Sequence, residues 1–417
     1  MKSYLLLVLL VPVAAGAVSV ADVAFTEEAN RDVTVSYTLN EPAVVTFDVT
    51  TNGASIGGRH LWNVSGDVNR LILPEAADTP KDCSFTWCPT HEAAARLFRG
   101  TELKIVVSAW PTNDPPDYMV VSILTNVAPR VRYYATAESV PGGVLDPLYR
   151  TSSILMRKIP AKDVTWTMGS GSGELKADST DPNREVTHTM RFPRNYYMGV
   201  FEVTRLQWYW LRSGNYSAVG THALLPMDQI SFLDARENPS NQPNDNYVYP
   251  KPPNPDTFMG LLRTRTGVDF DLPSESWWEY AARGTWGDAT WGDGSAMSGA
   301  ATDDNLARMA NFKQNSGGKL ALCGSFAPND FGLYDMSGNV FEWCLDWGYT
   351  ARHTRNDLAD GSVQTTLYDT SNPVHLLRGG GYDTEARYCR PARRAWAKRD
   401  VRAAAYGLRL ACPADAK

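Results

Sequence analysis

Residues 378–394, RGGGYDTEARYCRPARR, contain the side chains of this 417-residue chain that are best suited to chemistry. Their one cysteine, Cys389, lies between Arg387 and Arg390, whose charges could lower the thiol pKa and favour a nucleophilic thiolate. No histidine stands nearby in the sequence to serve as its base. The stretch therefore leaves three fates open for Cys389: a reactive thiol, one half of a disulfide, or a buried side chain.

The segment YDMSGNVFEW has the composition of a site for a hard cation. Asp335 and Glu342 are carboxylates seven residues apart, and Gly338 and Asn339 between them indicate a tight turn that exposes backbone carbonyl oxygens. Carboxylate and carbonyl oxygens are the ligands that calcium prefers in proteins. The sequence therefore predicts a calcium site here. The alternative is a carboxylate pair that caps turns without a metal.

Other metal centres are not indicated by the spacing of histidines and cysteines. The six histidines are scattered, without H-x3-H or H-E-x-x-H spacing, and no two cysteines have C-x-x-C spacing. Such spacings are typical of zinc sites and of thioredoxin-like redox sites. We therefore expect no zinc or histidine-rich iron centre. The formal net charge of −6 gives no reason to expect nucleic acid as a partner.

The first 17 residues, MKSYLLLVLLVPVAAGA, have the pattern of a signal peptide. Lys2 gives the positive start, residues 5–13 form a short apolar stretch, and Ala-Gly-Ala at 15–17 is a small-x-small cleavage site. We expect a secreted, periplasmic or cell-surface protein that starts near Val18; a buried N-terminal strand is the alternative. No later segment offers eighteen uncharged apolar residues, so no membrane span is expected.

Export makes disulfide bonds possible. Cys83 and Cys88 lie close together in the first part of the chain, and we expect them to pair. Three pairings remain open among the four cysteines of the last hundred residues, which are Cys323, Cys344, Cys389 and Cys412.

Residues 18–125 alternate apolar and polar side chains in short runs such as VTVSYTL, VTFDV and LKIVVSA. This period of two, interrupted by LNEP and TNGAS, predicts an antiparallel sheet packed on one face. The size and strand spacing indicate an all-β sandwich of the immunoglobulin or fibronectin type, with a spacer or docking role. Residues 126–150, which contain three prolines and a Gly-Gly pair, are predicted to be a linker.

The second domain, residues 151–417, has few helix signals and long irregular stretches rich in glycine, aspartate and tryptophan. In LPSESWWEYAARGT, Ser274 can cap a helix that Gly284 ends, with Trp278 on its apolar stripe. A second helix is predicted in EVTRLQWYWLRSG, with a core-facing stripe of Leu206, Trp210 and Leu211.

A series of motifs in this second domain carries a family resemblance: MRKIPAKDVTWTMGS, YYMGVFEVTRLQWYW, LPMDQISFLDA, LPSESWWEYAARGT, NDFGLYDMSGNVFEWCLDW, LLRGGGY and YGLRLA. In this order and spacing, they closely resemble the formylglycine-generating enzyme family, also called the sulfatase-modifying factor family. The resemblance covers roughly residues 155–412 and implies an α+β, C-type-lectin-like fold with little regular structure. Members include copper-dependent oxygenases that convert a sulfatase cysteine to formylglycine, iron-dependent thiol-oxidising systems, and binding domains without chemistry. Membership therefore implies the fold more firmly than the reaction.

The copper enzymes that this chain resembles carry G-G-S-Y followed by two cysteines spaced C-x4-C. Two thiolates suit copper(I), which is a soft cation. Here Gly381 stands at the serine position, Thr384 at the first cysteine and Phe341 at the tryptophan of GNVWEW, whereas Tyr388 and Cys389 match. Tyr388 and Cys389 are therefore the candidate catalytic residues, but the copper site is incomplete and we do not expect copper.

The resemblance also implies structural calcium. Its first site matches the side chains of Asp335 and Glu342 and the carbonyls of Gly338 and Val340. A second site would use three positions of the ANFKQNSGG segment, namely Asn311, Phe312 and Asn315.

The arginines between Arg387 and Arg402 have two interpretations: a face held by internal ion pairs, or a groove for a carboxylate, sulfate or acidic glycan. We interpret the whole chain as an exported, calcium-stabilised pseudoenzyme that binds a protein or glycan outside the cytoplasm. The alternative is a copper-dependent oxygenase, or a related thiol-oxidising enzyme, that acts on sulfatases or other thiols with a sulfur ligand from elsewhere. A purely structural surface protein is a third interpretation.

Overall fold

The computed structural model describes residues 7–10, 18–74, 80–89, 103–128, 130–171, 174, 185–212, 222–237, 252–285, 289–348 and 374–417. The chain forms two compact units: the first unit is Met1–Ser122, Asn126–Tyr149 and Ala414–Lys417, and the second unit is Ile123–Thr125 and Arg150–Pro413. The predicted cleavage site at residues 15–17 lies outside the described residues. In the described part of the chain, no helix is both long and apolar enough to cross a membrane.

The first unit is rich in β-strands, as the alternating pattern predicts. Its elements are β1 (Leu7–Leu10), β2 (Val20–Glu27), β3 (Val33–Leu39), β4 (Ala43–Thr51), β5 (Ala54–Ser55), α1 (Gly58–Leu61), β6 (Val64–Gly66), β7 (Arg70–Ile72), β8 (Lys81–Trp87), β9 (Leu103–Pro111), β10 (Tyr118–Ser122) and β11 (Val131–Tyr134). One sheet has the order β2-β3-β8-β6, and another has the order β1-β9-β4-β5 with β7 on β4. Side chains of both sheets, including Val35, Phe47 and Phe85, share one core. Of the predicted linker, residues 126–150, the part Asn126–Tyr149 belongs to this unit and contributes β11, which pairs with β10.

The predicted disulfide between Cys83 and Cys88 is wrong, because both thiols are free. Cys83 lies inside β8 and faces the core, and Cys88 follows the end of the same strand. Five residues of extended chain span about 16 Å, whereas the Cα atoms of a disulfide lie within about 7 Å. The two cysteines are close in sequence but far apart in space, because the extended chain from Cys83 to the end of β8 separates them.

The second unit is mostly β with a few short helices. Its strands are β12 (Ser153–Ile159), β13 (Thr165–Met168), β14 (His188–Arg191), β15 (Tyr196–Gly199), β16 (Phe341–Trp347), β17 (Val374–Arg378), β18 (Ala395–Lys398), β19 (Tyr406–Gly407) and β20 (Ala411–Pro413), and its α-helices are α2 (Arg205–Tyr209), α3 (Phe232–Ala235), α4 (Phe258–Thr266) and α5 (Glu275–Arg283). Within this unit the sheets run β12-β15-β20, β13-β14 and β18-β17-β16-β19. Irregular segments connect them, in keeping with the glycine- and aspartate-rich sequence.

Helix α5 confirms the prediction made from its caps. The Ser274 hydroxyl accepts a hydrogen bond from the Trp277 N–H at 3.2 Å, and the helix stops at Gly284. Trp278, on the predicted apolar stripe, is fully buried. The helix packs on β16 and β17, so it supports β17, the strand that leads into residues 378–394.

The stripe predicted for helix α2 is wrong. Trp210 is 42% exposed, and the buried tryptophan is Trp208, which stacks on Phe258 at 4.6 Å between ring centroids. The helix begins at Thr204, whose side chain forms a capping box with Gln207, and it is only five residues long. A helix this short ends before Trp210 completes a second turn, so the i, i+4 stripe cannot form.

Candidate functional site

Two glycines after β17 bring the backbone of residues 379–381 against Cys389. Gly379 and Gly380 have φ values of 90° and 78°, which disfavour any other residue. A Cβ atom on Gly380 would lie 2.7 Å from the Cys389 Sγ and 2.9 Å from the Tyr388 carbonyl oxygen. The Gly-Gly sequence therefore allows the turn and also makes room for the thiol.

Cys389 is a free, fully buried thiol, which decides between the three fates left open by the sequence. Its Sγ lies 3.3 Å from the Thr384 Oγ1 and 3.7 Å from the Glu385 carbonyl oxygen. It packs in a small apolar cluster with Trp291 and Phe312. Burial raises the pKa of the thiol to about 12, so it stays protonated near neutral pH and is a poor nucleophile.

Thr384 occupies the position beside this thiol, and its hydroxyl is engaged locally. It accepts a hydrogen bond from the Gly381 N–H at 3.0 Å and donates one to the Gly381 carbonyl at 2.8 Å. A Cβ atom on Gly381 would lie only 2.9 Å from the Ala405 Cβ and 3.4 Å from the Phe341 ring. The three departures from the copper pattern, at residues 341, 381 and 384, therefore adjoin one another in space.

Tyr388 is half-buried, and two guanidinium groups lie against its ring. Those of Arg387 and Arg393 lie 4.9 and 5.3 Å from the ring centroid, within the range of cation–π contacts. Arg387 also pairs with Glu385 at 3.0 Å. The structure thus brings both candidate catalytic residues to one turn, with Cys389 inside and Tyr388 at its surface.

Most arginines of this segment form internal ion pairs, which supports the first interpretation of the arginine run. Arg390 is fully buried and bonds to Glu174 at 2.7 Å and to Glu185 at 2.9 Å. Besides Arg387–Glu385, the segment contains the arginine–carboxylate pairs Arg394–Glu275, Arg399–Glu237 and Arg402–Asp234. These charges are matched by protein carboxylates, so they do not form an open basic groove.

The two predicted calcium carboxylates differ in their surroundings. Glu342 accepts hydrogen bonds from Arg409 Nη2 at 2.7 Å, from Arg409 Nε at 3.0 Å and from Trp278 Nε1 at 2.6 Å. Asp335 is 2% exposed, and its Oδ2 accepts the Gly324 N–H at 2.6 Å. Its Oδ1 is buried and has no hydrogen-bond partner among the described residues. Burial raises the pKa of Asp335 to about 6.

Glu202 joins these carboxylates and was not predicted as a site residue. Its Oε2 accepts a hydrogen bond from the Asn339 side chain at 2.7 Å and lies 3.5 Å from the Cys323 Sγ, while its Oε1 accepts the Val340 N–H at 3.2 Å. Burial, with the nearby charges of Asp335 and Glu342, raises the pKa of Glu202 well above its ordinary value. Its only signal in the sequence is that it is the one acidic residue in the largely apolar motif YYMGVFEVTR.

The second predicted calcium set forms a turn that is closed by its own hydrogen bonds. Asn315 accepts the Phe312 N–H through Oδ1 at 2.9 Å, and the Phe312 carbonyl accepts the N–H of Asn315 at 3.0 Å. The side chain of Asn311 donates to the Lys319 carbonyl at 2.9 Å. Among the residues described, no cluster of three or more histidine, cysteine, aspartate or glutamate side chains could hold a metal.

Comparison with known proteins identifies the second unit. Residues 158–414 match the family described as sulfatase-modifying factor enzyme 1-like domain. Formylglycine-generating enzyme of Thermomonospora curvata is 31% identical over 156 residues, which are 34% of this chain and 49% of that protein. Formylglycine-generating enzyme of Bos taurus is 25% identical over 314 residues, which are 66% of this chain and 78% of that protein. The chain thus spans about half the length of the bacterial relative.

A solved structure also resembles part of the chain. Treponema denticola variable protein 1 is 26% identical and covers 63% of this chain and 95% of its own, with a TM-score of 0.44.

Proposed function

Because the chain belongs to the sulfatase-modifying factor family, we propose that it is a member without copper chemistry that acts by binding a protein or glycan. The observation that carries the proposal is the pairing of Thr384 Oγ1 with Cys389 Sγ at 3.3 Å. A copper(I) site of two thiolates needs sulfur at both positions, and a neutral hydroxyl is a poor ligand for this soft cation. A thiol must lose its proton to bind the metal, and a pKa of about 12 makes that loss unfavourable for Cys389 at neutral pH.

The test is incubation of a Cys-x-Pro-x-Arg peptide with the protein, copper(I), oxygen and a thiol reductant. We expect no conversion of the cysteine to formylglycine, which mass spectrometry would register as a loss of about 18 Da. Thr384→Cys restores the second sulfur ligand. We expect it to give little activity, because Gly381 and Phe341, which also depart from the copper pattern, still adjoin this position. If the natural protein converts the peptide and Cys389→Ala abolishes that conversion, the protein is an oxygenase instead.

Calcium binding at Asp335 is the second part of the proposal. The support is its buried Oδ1, which has no partner among the described residues and would fit a hard cation. The carbonyls of Gly338 and Val340 are the further predicted ligands, whereas Glu342 already accepts hydrogen bonds from Arg409 and Trp278. We expect the second set around Asn311 to contribute less, because its oxygens close a turn. When bound, calcium would supply charge balance and stability rather than catalysis.

Chelation tests the calcium proposal directly. A cation that binds only the folded state stabilises it by about 3–4 kcal/mol at 100 to 1,000 times Kd. We therefore expect a chelator to lower the melting temperature of the natural protein and to leave that of Asp335→Asn unchanged. A melting temperature that calcium does not raise, in protein freed of metal beforehand, would remove the site.

Export through residues 1–17 completes the proposal; the sequence pattern alone supports it, and the structure itself places Leu7–Leu10 beside β9 as strand β1. Expression in a bacterial host, followed by N-terminal sequencing of the protein found outside the cytoplasm, tests it. We expect the mature chain to begin near Val18.

A further inference from the structure

Strand β1 belongs to the segment that the proposed export would remove. Leu7–Leu10 pair with β9 in parallel, with Val8 opposite Ile105. Cleavage near Val18 therefore takes the first strand out of the sheet β1-β9-β4-β5. Strand β9 then becomes an outer strand of the mature protein. The backbone N–H and C=O groups that β1 engaged become available to another chain.

Strand β9 is held in place by contacts that cleavage leaves intact. On its other side it pairs with β4 along all nine of its residues, Leu103–Pro111, without a break in register. Ile105 and Val107 are each 1% exposed and belong to the same core as Phe47 of β4. The edge is therefore ordered before a partner arrives, which lowers the entropic cost of binding.

The other outer strands of these two sheets are short or irregular. Strand β5 has two residues, and β6 and β7 have three each. Strand β2 shifts its register on β3 between Ala21 and Ala24. Short or bulged outer strands are a usual means by which proteins avoid unwanted strand pairing. Strand β9 has nine residues and a regular register, so neither shortness nor irregularity protects its edge.

The segment that lies on β9 shows the chemistry that this edge accepts. Leu7–Leu10 has the apolar sequence LVLL and runs parallel to β9. A two-fold dimer that paired β9 with β9 would instead run the two strands antiparallel, because both copies contribute the same surface. The parallel arrangement therefore favours an extended segment of another protein over a second copy of this chain.

We propose that the β9 edge of the mature protein binds an extended, apolar segment of a partner protein, which adds to the sheet in parallel where β1 lies in the uncleaved chain. This inference rests on the export and the binding function proposed above, and it names the class of partner. Main-chain hydrogen bonds supply the affinity, as in other cases of strand addition to a sheet edge. In the uncleaved chain β1 occupies the edge, so binding begins only after cleavage.

The experiment uses residues 18–417, produced directly without the leader, and a peptide of residues 5–11 with two lysines at each end for solubility. Hydrogen exchange, measured by mass spectrometry, reports pairing at β9. With the peptide at ten times its Kd, exchange of the edge amides in residues 103–111 should slow about tenfold. The control peptide carries Val8→Pro/Leu9→Pro, which removes two successive backbone N–H groups, and it should slow exchange less than twofold.

Two protein controls locate the binding at this edge. In residues 1–417, β1 competes from within the chain at an effective concentration on the order of 1 mM, so the peptide should bind at least about tenfold more weakly. Val106, which lies opposite Leu9, is half-buried, and Val106→Lys should weaken binding about two- to fivefold through the lost cross-strand contact. Ser36→Lys adds the same side chain to an exposed position of β3, which is paired on both sides, and should leave binding unchanged.

No slowing by the peptide, equal slowing by the proline peptide, or equal binding to residues 1–417 would overturn the proposed site. Self-association of residues 18–417 in ultracentrifugation, with slower exchange at residues 103–111, would overturn the choice of partner in favour of a second copy. Retention of residues 1–17 in N-terminal sequencing is a separate result that would refute the export and not the edge. Conversion of the Cys-x-Pro-x-Arg peptide is likewise separate and would refute the binding function.

Discussion

Replacement of Gly380 by alanine isolates the packing between the glycine turn and the buried thiol. The new Cβ would lie 2.7 Å from the Cys389 Sγ and 2.9 Å from both the Cys389 Cα and the Tyr388 carbonyl oxygen. The positive φ of 78° costs about 1–2 kcal/mol for an alanine, and forced overlap in a packed site costs about 1–3 kcal/mol more. The free energy of unfolding of the second unit should therefore fall by about 2–5 kcal/mol.

Gly267→Ala is the matched control for the backbone part of this cost. Gly267 ends helix α4 with φ 73°, and, apart from its own helix backbone and chain neighbours, no atom of the described residues lies within 4 Å of where its Cβ would stand. Differential scanning calorimetry of the full chain should show a lower transition temperature for Gly380→Ala than for Gly267→Ala. The gap should be about 2–12 °C, since the steric cost of about 1–3 kcal/mol converts at ~2–4 °C per kcal/mol at this size. Equal shifts in both variants would refute the steric argument. Partial recovery in Gly380→Ala/Cys389→Ala would locate the overlap at the sulfur.

Two further predictions concern buried charge. Arg390→Met should lower the free energy of unfolding of the second unit by about 3–5 kcal/mol in calorimetry, because it leaves Glu185 buried without its partner at 2.9 Å. The control Arg191→Met, which removes an ion pair whose arginine is 63% exposed, should cost at most about 1 kcal/mol. Equal losses in the two variants would contradict this prediction. Burial, followed by the charge of Arg236, holds the pKa of His375 well below its ordinary value, so below pH ~6.5 the unfolded chain binds a proton that the folded chain does not. Stability should therefore fall by up to ~1.4 kcal/mol per pH unit as pH drops from 7 to 5, and His375→Asn should flatten that slope in melting curves measured across this range.

Local signals were predictable from the sequence, and long-range partners were not. Helix α5 was predictable because Ser274 and Gly284 mark its two ends within one short segment. The wrong face of α2 and the wrong pairing of Cys83 with Cys88 share a cause, since both depend on where an element stops. Sequence spacing alone does not contain that information.

The same limit applies to the site. The sequence showed that Thr384 stands where a cysteine is expected, and the structure adds that its hydroxyl is tied to Gly381. The sequence could not show that Arg409, which lies 67 residues after Glu342, binds the Glu342 carboxylate. Nor could it show that Glu202 lies beside the same group, because such partners come from strands and turns far apart in the chain.

The buried carboxylates around Asp335 connect these findings with the calcium proposal. Glu202, Asp335 and Glu342 are each at most 2% exposed, and a buried charge is stable only when it is balanced. Arg409 bonds to Glu342, and the charge of Arg150 also lowers the pKa of Asp335. Three carboxylates against two guanidinium groups leave one negative charge, which either a proton or a cation must balance. A bound calcium ion at Asp335 would do so without displacing Arg409, whereas a calcium ion centred on Glu342 would have to compete with it. The arrangement therefore favours Asp335 over Glu342 as the carboxylate at which calcium would bind.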